Sequence, residues 1–239
     1  IPIGKKKSAE LPLPVTTTPT LYELCDNNNP GDSVEEFDLT SKASEIIGVQ
    51  SGLKLSYYKT LAQAEAGLAT TAIADPTKYT NTVKGATETL FVRVENTDTK
   101  CHVVRLLDIR VNPLPSPRAP KEVLVVCDGD ADGFADFDLE SLTQEIQGGN
   151  LNANITYHET QADADAGTNG LSSPYSNIRN AITAITLYAR AAYSATTSTG
   201  CSAVIPIQIQ AAPAPQVPVK LNDIEACETL DSNGDVNND

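Results

Sequence analysis

The 239-residue chain is 40% hydrophobic and sets 31 acidic residues against 17 basic ones, for a net charge of −14. Its length suits two domains with real cores, and its scarcity of Lys and Arg clusters excludes nucleic acid as a partner. No apolar run approaches the ~18 residues of a membrane span, and with eight tyrosines, four phenylalanines and no tryptophan the cores are to be built from Val, Ile, Leu and Ala.

The chain opens at Ile1 and contains no methionine, which reads as a processed piece of a longer polypeptide. Residues 1–14, "IPIGKKKSAELPLP", read as the last strand and Pro-rich exit of a preceding unit. "TLYELC" predicts a short strand ending at Cys25, and "LTSKASEII" from Leu39 predicts one or two helical turns behind an N-cap candidate. "LKLSYYKT" from Leu53 alternates as a half-buried strand does. "LAQAEAG" from Leu61 is a single helical turn closed by a C′ glycine. From Glu88 to Val111, two alternating strands flank the polar turn "NTDTK", a hairpin. "NPLPSPRAP" from Asn112 then favours extended polyproline II, a semi-rigid spacer.

From here the chain repeats itself. "DFDLES" from Asp136 answers "EFDLTS" from Glu36, and "TYHETQADADAG" from Thr156 answers "SYYKTLAQAEAG" from Ser56. "PYSN" from Pro174 answers "KYTN" from Lys78, and "TLYARAAY" from Thr186 answers "TLFVRVEN" from Thr89. So many matches in one order are a duplicated domain. The expected organisation is a tail at 1–14, repeats at 15–115 and 116–215, and the start of a following repeat at 216–239. Short strands at this spacing predict an all-β fold: tandem Ig-like antiparallel β-sandwich repeats of about 100 residues, with short helical turns as connections.

The five cysteines follow the same period and form no C-x-x-C pair. Periodicity selects one bridge inside each repeat, Cys25–Cys101 and Cys127–Cys201, with Cys227 awaiting a partner further on. One pair per domain points to an oxidising, extracytoplasmic location.

"CDGDADGFADFDL" from Cys127 crowds five aspartates into thirteen residues. Asp128, Asp130 and Asp132 alternate ahead of Gly133, as the oxygen donors of a calcium loop do, with the Phe134 carbonyl and Asp136 next in line. Leu139 stands where an EF-hand has its bidentate Glu, so this is a calcium-like loop outside that fold, with Asp138 or Glu140 as closing candidates. Hard oxygen donors without His or Cys favour structural Ca²⁺. Asp231, Asn233 and Asp235 form a weaker copy; the first repeat, "CDNNNPGDSVEEF", has lost most of the pattern.

No catalytic constellation is visible. His102 lies on a strand beside Cys101, and His158 replaces Tyr58 of the other repeat and reads as a surface strand residue. No nucleophile elbow, P-loop or dinucleotide fingerprint occurs, and the expectation is no enzyme.

The ordered blocks "CDGDADGFADFDL…ITYHETQADADAG…PYSN…LYARA…GCSAVIPIQI" resemble the repeats of very large surface adhesins of gliding Bacteroidetes, over nearly the whole chain from Leu21. The resemblance implies export by the type IX route, a cell-surface location, and a stalk role in adhesion and gliding motility. It implies neighbouring repeats of the same chain as partners, and a surface substrate or glycan as the distal target. The competing expectation is an extracellular glycan- or protein-binding module, accessory to a secreted enzyme whose catalytic part lies elsewhere.

Overall fold

The structure, a computed structural model, describes residues 11–149, 152–194 and 200–215. The expected tail at 1–14 lies mostly outside the described residues, and the expected new start at 216–239, with Cys227, Asp231, Asn233 and Asp235, lies wholly outside them.

Two β-sandwich units follow one another. In unit 1 the strands are β1 (Tyr22–Cys25), β2 (Glu36–Phe37), β3 (Leu53–Tyr58), β4 (Tyr79–Thr80), β5 (Glu88–Asn96) and β6 (His102–Asn112). One sheet has the order β1-β6-β5-β3 and the other pairs β2 with β4. Unit 2 repeats this with β7 (Leu124–Asp128), β8 (Asp136–Phe137), β9 (Ala153–His158), β10 (Tyr175–Ser176), β11 (Ile185–Tyr193) and β12 (Ser202–Pro213), ordered β7-β12-β11-β9 and β10-β8. The antiparallel expectation holds for every pair except one in each unit: β1 runs parallel to β6, and β7 parallel to β12.

The cores occupy matching positions. Phe37, Leu39, Ile46, Tyr57, Leu90 and Ile109 are buried in one cluster, and Phe137, Leu139, Ile146, Tyr157, Leu187 and Ile209 in the other. Alternation in the long hairpin strands does this: β5 buries Glu88, Leu90, Val92 and Val94 on one face. Where unit 1 has Val92 and Val111, unit 2 has Ala189 and Ala211.

The short helices are α1 (Ala43–Ile47), α2 (Leu61–Ala66), α3 (Thr143–Gln147) and α4 (Gln161–Ala166). Thr60 and Thr160 cap α2 and α4, accepting from the N–H of Gln63 and Asp163, and Gly67 and Gly167 end them in the left-handed region. A Cβ on Gly67 would also lie 2.8 Å from Cζ of Arg93. That guanidinium donates to the carbonyls of Ala64 and Glu65 at 3.0 and 2.9 Å, holding the end of α2 against the hairpin.

The Pro-rich connections are docked onto the unit that follows them. Thr17 donates its N–H to the Ile46 carbonyl at 3.0 Å, and Arg118 donates to the Ile146 carbonyl at 2.8 Å. A carboxylate of the same helix reinforces each contact: Glu45 accepts from the Thr20 N–H at 2.8 Å, and Glu145 from the Lys121 N–H at 3.1 Å. Between Asn112, the end of β6, and Arg118 only a short proline-containing stretch is left unsupported, and it can reach roughly 20 Å at most. The C-terminal end of the spacer is thereby pinned to the unit that follows it.

Glu45 also holds Lys42 at 2.6 Å, and the Lys42 hydrogen bond, with those from Thr20, lowers its carboxyl to about 2. A depressed carboxylate stabilises fully above its unfolded value, and that contribution is lost as pH falls through about 2. We therefore expect the Thr20 amide to stay protected from hydrogen exchange at pH 4 and to lose protection towards pH 2. Glu45→Ala should expose the same amide at neutral pH; unchanged exchange rates in that variant would discount the clamp.

Candidate functional site: the inter-unit bridge and the acidic loops

The parallel pairing of the first strand decides the geometry. In unit 1, Tyr22 lies opposite Ile109 and Cys25 opposite Asn112, so Cys25 sits where the chain leaves the unit. Cys101 stands immediately before β6, at the other pole, about 36 Å away at the usual rise of a strand. A disulfide needs Cα atoms roughly 4.4–6.8 Å apart. The expected Cys25–Cys101 bridge is therefore wrong, and so is Cys127–Cys201, since Cys127 lies opposite Ala212 at the exit of β12 and Cys201 precedes its start.

The bond that forms joins the units: Cys25 is bridged to Cys201, with Cα atoms 5.6 Å apart and a sequence separation of 176. It links the exit pole of unit 1 to the entry pole of unit 2, across the junction that the Pro-rich connection also crosses. Cys101 and Cys127 are free thiols, the first half-exposed and the second exposed.

The acidic loops sit at the exit poles, directly after the first cysteine of each unit. In unit 2, buried Asp128 organises the loop by accepting from Ala131 N–H at 3.0 Å and Gly133 N–H at 2.7 Å. Gly133 has φ +88°, and a Cβ there would collide with the Asn180 side chain at 2.1 Å. Asp132 accepts from the Phe134 N–H at 2.8 Å. Carboxylate oxygens of Asp128, Asp130 and Asp132 lie within 4.8 Å of one another. Asp136 is not with them: it lies on β8, where its carboxylate accepts from the Ser176 hydroxyl. Asp138 is likewise engaged, by Ser173 at 3.0 Å. The three converging donors are of the hard type that suits a divalent cation.

Repulsion is divided unevenly within the triad. The Gly133 N–H chiefly holds the Asp128 carboxyl below the usual range, whereas Asp128 and then Asp132 push that of Asp130 up. In unit 1 the same frame is filled differently. Asp26 accepts from Gly31 and Ser33, and buried Glu35 takes the N–H groups of Asn27 and Asn28 at 2.5 and 2.8 Å and the Asn28 amide at 2.6 Å. Unit 2 has Ala135 at the place of Glu35.

A buried asparagine locks each loop to the sandwich. The Asn177 side chain accepts from Ala135 N–H at 2.7 Å and donates to the carbonyls of Gly133 at 2.8 Å and Arg179 at 2.6 Å. Asn81 makes the same three bonds to Glu35, Ser33 and Val83. These residues close the repeated "KYTN" and "PYSN" blocks; that recurrence was the signal that could have marked them. His158 is corrected too: it is 1% exposed, with its ring nitrogens bonded to the Thr168 carbonyl at 2.7 Å and the Thr156 hydroxyl at 2.9 Å.

With this geometry in view the family match is intelligible. The chain belongs to the Flavobacterium inter-domain disulphide bond domain family, whose model matches residues 21–115 and 123–215 as two tandem copies. Two such copies joined by a disulfide make this a multi-domain protein of an oxidising, extracytoplasmic setting. No curated protein shares significant sequence similarity with the chain. Among solved structures, it is similar to human mucin-like protocadherin EC1-2 (12% identity, TM-score 0.24), covering 84% of this chain and 98% of that one. It is also similar to the Bacteroides ovatus glucan-locus protein SGBP-B, solved with a mixed-linkage heptasaccharide (13% identity, TM-score 0.20), covering 82% of this chain and 46% of that one. Drosophila N-cadherin EC1-4 gives 10% identity and a TM-score of 0.23, covering 80% of this chain and 47% of that one. At such TM-scores these likenesses carry no functional argument. No helix among the described residues is long and apolar enough to cross a membrane.

Removing the asparagine lock takes the partner from the part-buried Ala135 N–H and Arg179 carbonyl, while the Gly133 carbonyl keeps the Ala181 N–H at 2.9 Å. Asn177→Ala should cost about 2–3 kcal/mol, read as a lower urea midpoint with unchanged m-value. A midpoint within error of the parent would show that the loop needs no such support.

Proposed function

We propose that this chain is a structural stalk segment of a long, repetitive, surface-exposed adhesin serving cell adhesion and gliding, and that its work is mechanical with no catalytic step. The observation that carries the reading is the Cys25–Cys201 bridge between units. A tether pulled from its ends loads the covalent path from Cys25 through the sulfurs to Cys201, and the chain between them is shielded. The bridge and the docked spacer together restrain the junction, which suits a device built for reach. Neighbouring repeats of the same chain are the partners this reading requires. The target, a surface or a glycan, would be met by another part of the protein, exported to the cell surface by the type IX route.

Single-molecule pulling tests it. Oxidised chain should resist full extension, and reduction should release roughly 600 Å of additional contour length. Equal contour lengths in both redox states would remove the basis of the proposal.

We further assign a structural Ca²⁺ role to Asp128, Asp130 and Asp132, supported by their convergence and by the neighbouring carboxylates that push the Asp130 carboxyl up. Calcium should raise the melting temperature of the full chain, EDTA should reverse the gain, and the double variant Asp130→Asn/Asp132→Asn should not respond. A response as large in that variant would place the ion elsewhere.

A second reading, a glycan- or protein-binding module accessory to a secreted enzyme, is favoured by one feature. A groove of about 650 Å³ in unit 2 is lined by Gln144, Gln147, Asn154 and Thr156. Its Tyr157 is buried, so the groove lacks an exposed ring to stack on a sugar.

A further inference from the structure

We propose that the groove of unit 2 is a binding site for a neutral oligosaccharide, held edge-on by hydrogen bonds to the side-chain amides of Gln144 and Asn154. The inference rests on the second reading above and names its ligand class; the stalk role stands or falls without it.

The groove lies where the two copies diverge. Core positions correspond at a constant offset, Leu39 with Leu139, Ile46 with Ile146 and Tyr57 with Tyr157. On that register Gln144 replaces Ser44, Gln147 replaces Ile47 and Asn154 replaces Lys54. Ile47 packs against the core of unit 1, whereas the Gln147 amide donates to the Ala153 carbonyl at 3.0 Å. One wall is shorter as well. Ile73 and Leu171 each donate the backbone N–H to the carbonyl of the buried tyrosine of their own unit, Tyr57 and Tyr157, at 2.8 Å. Leu171 follows Gly167 by four residues, whereas Ile73 follows Gly67 by six. Unit 1 winds part of its longer connection into a 3₁₀ turn, Ala69–Thr71. A shortened wall and three introduced amides thus meet at one groove of about 650 Å³, a volume within the range of small-ligand sites.

The lining selects the ligand. Glu140 is its one charged side chain, and no Lys or Arg lines it. In a chain of net charge −14, such a groove repels sulfate, phosphate and uronate groups. The side-chain amides of Gln144 and Asn154 are exposed and hydrogen-bond to no described residue. Each offers a donor and an acceptor side by side, which matches two adjacent hydroxyls of a sugar. The Glu140 carboxylate adds an acceptor for a further hydroxyl. Other lining groups are held within the protein, Thr143 by the Tyr157 hydroxyl at 3.0 Å and Thr156 by His158 at 2.9 Å, so the walls are fixed before a ligand arrives.

The strand edge disfavours a peptide. β9 is the outer strand of its sheet, and an added strand would need its outward-facing backbone groups. Leu171 already holds the carbonyl of Tyr157, and Gln147 that of Ala153. Only the groups around Ile155 stay open between them, too few to align a further strand. With Tyr157 buried, a sugar presents its hydroxylated edge to the wall, not its face to a ring.

The isotope-labelled full chain is titrated by NMR with cellohexaose, laminarihexaose, mannohexaose and chitohexaose, with hexagalacturonate as the acidic counterpart, and is panned against a random-peptide phage library. At least one neutral hexamer should shift the side-chain amide signals of Gln144 and Asn154 saturably. Gln144→Ala and Asn154→Ala should each weaken that binding about tenfold, one hydrogen bond at the upper end of its usual worth. A Cβ on Gly170, which lines the groove, would meet nothing within 4 Å. Gly170→Leu should therefore keep the parent melting temperature, plug the groove and abolish binding. Neutral binding that survives Gly170→Leu would overturn the proposal. Hexagalacturonate or a selected peptide bound in the groove in preference to every neutral hexamer would overturn it too, and would leave the binding-module reading standing. No binding by any probe would remove both.

Discussion

Four residues of parallel pairing, Tyr22–Cys25 beside Ile109–Asn112, determine where every cysteine of the unit can reach. Had the first strand run antiparallel to the last, its cysteine would have come to the pole where Cys101 lies, and each sandwich would close on itself. Run parallel, the strand carries its cysteine to the exit and leaves the partner position at the entry. One choice of strand direction thus turns an intradomain staple into a joint between domains. The rest of the junction follows it: the docked spacer, the acidic loop at the exit and the accessible thiols at the free poles.

The two loops show how one frame carries different electrostatics. Asp26 and Asp128 both turn the chain by accepting two backbone N–H groups, and Asn81 and Asn177 both tie it down. Unit 1 then brings Glu35 inward to meet asparagine amides, so its negative charge faces donors within the protein. Unit 2 has no such acid and instead sets Asp130 between two other carboxylates. Such an arrangement is stable at neutral pH when the loop splays or a cation shares the oxygens. The frame is structural, and the charge placed within it is free to differ between copies.

The repeat, the strands and the capped helical turns were legible because each rests on local pattern: alternation in "LKLSYYKT", Thr60 ahead of α2, Gly67 behind it. The bridge was not, and for a reason of symmetry. In a tandem array, pairing the first cysteine with the second of its own unit or of the next leaves the same period in the sequence. Only the direction of a four-residue strand separates the two, and a strand that short carries no mark of its direction. The triad at Asp128, Asp130 and Asp132 was legible from spacing, whereas the removal of Asp136 to β8 depends on a two-residue pairing with Ser176. His158 was misread as exposed because alternation fails at the strand end, where two consecutive residues are buried in both units: Tyr57 and Tyr58, Tyr157 and His158.

The bridge also changes what unfolding means for each unit. It closes a loop of 176 residues that takes in most of both sandwiches. On the chain-entropy account such a loop disfavours the unfolded ensemble by about 5 kcal/mol, but the full effect is felt only when both units are open. If one unit opens while the other stays folded, the intact sandwich already restricts the loop, so part of the constraint is spent in the folded neighbour. A unit that opens is meanwhile held between two anchors, and its ends stay close enough to reclose. The stability of each sandwich therefore depends on its neighbour's state, although the described hydrogen bonds that build each core lie within its own unit. An array joined at every junction in this way would extend that dependence along its length, so that no unit would have to bear opening alone.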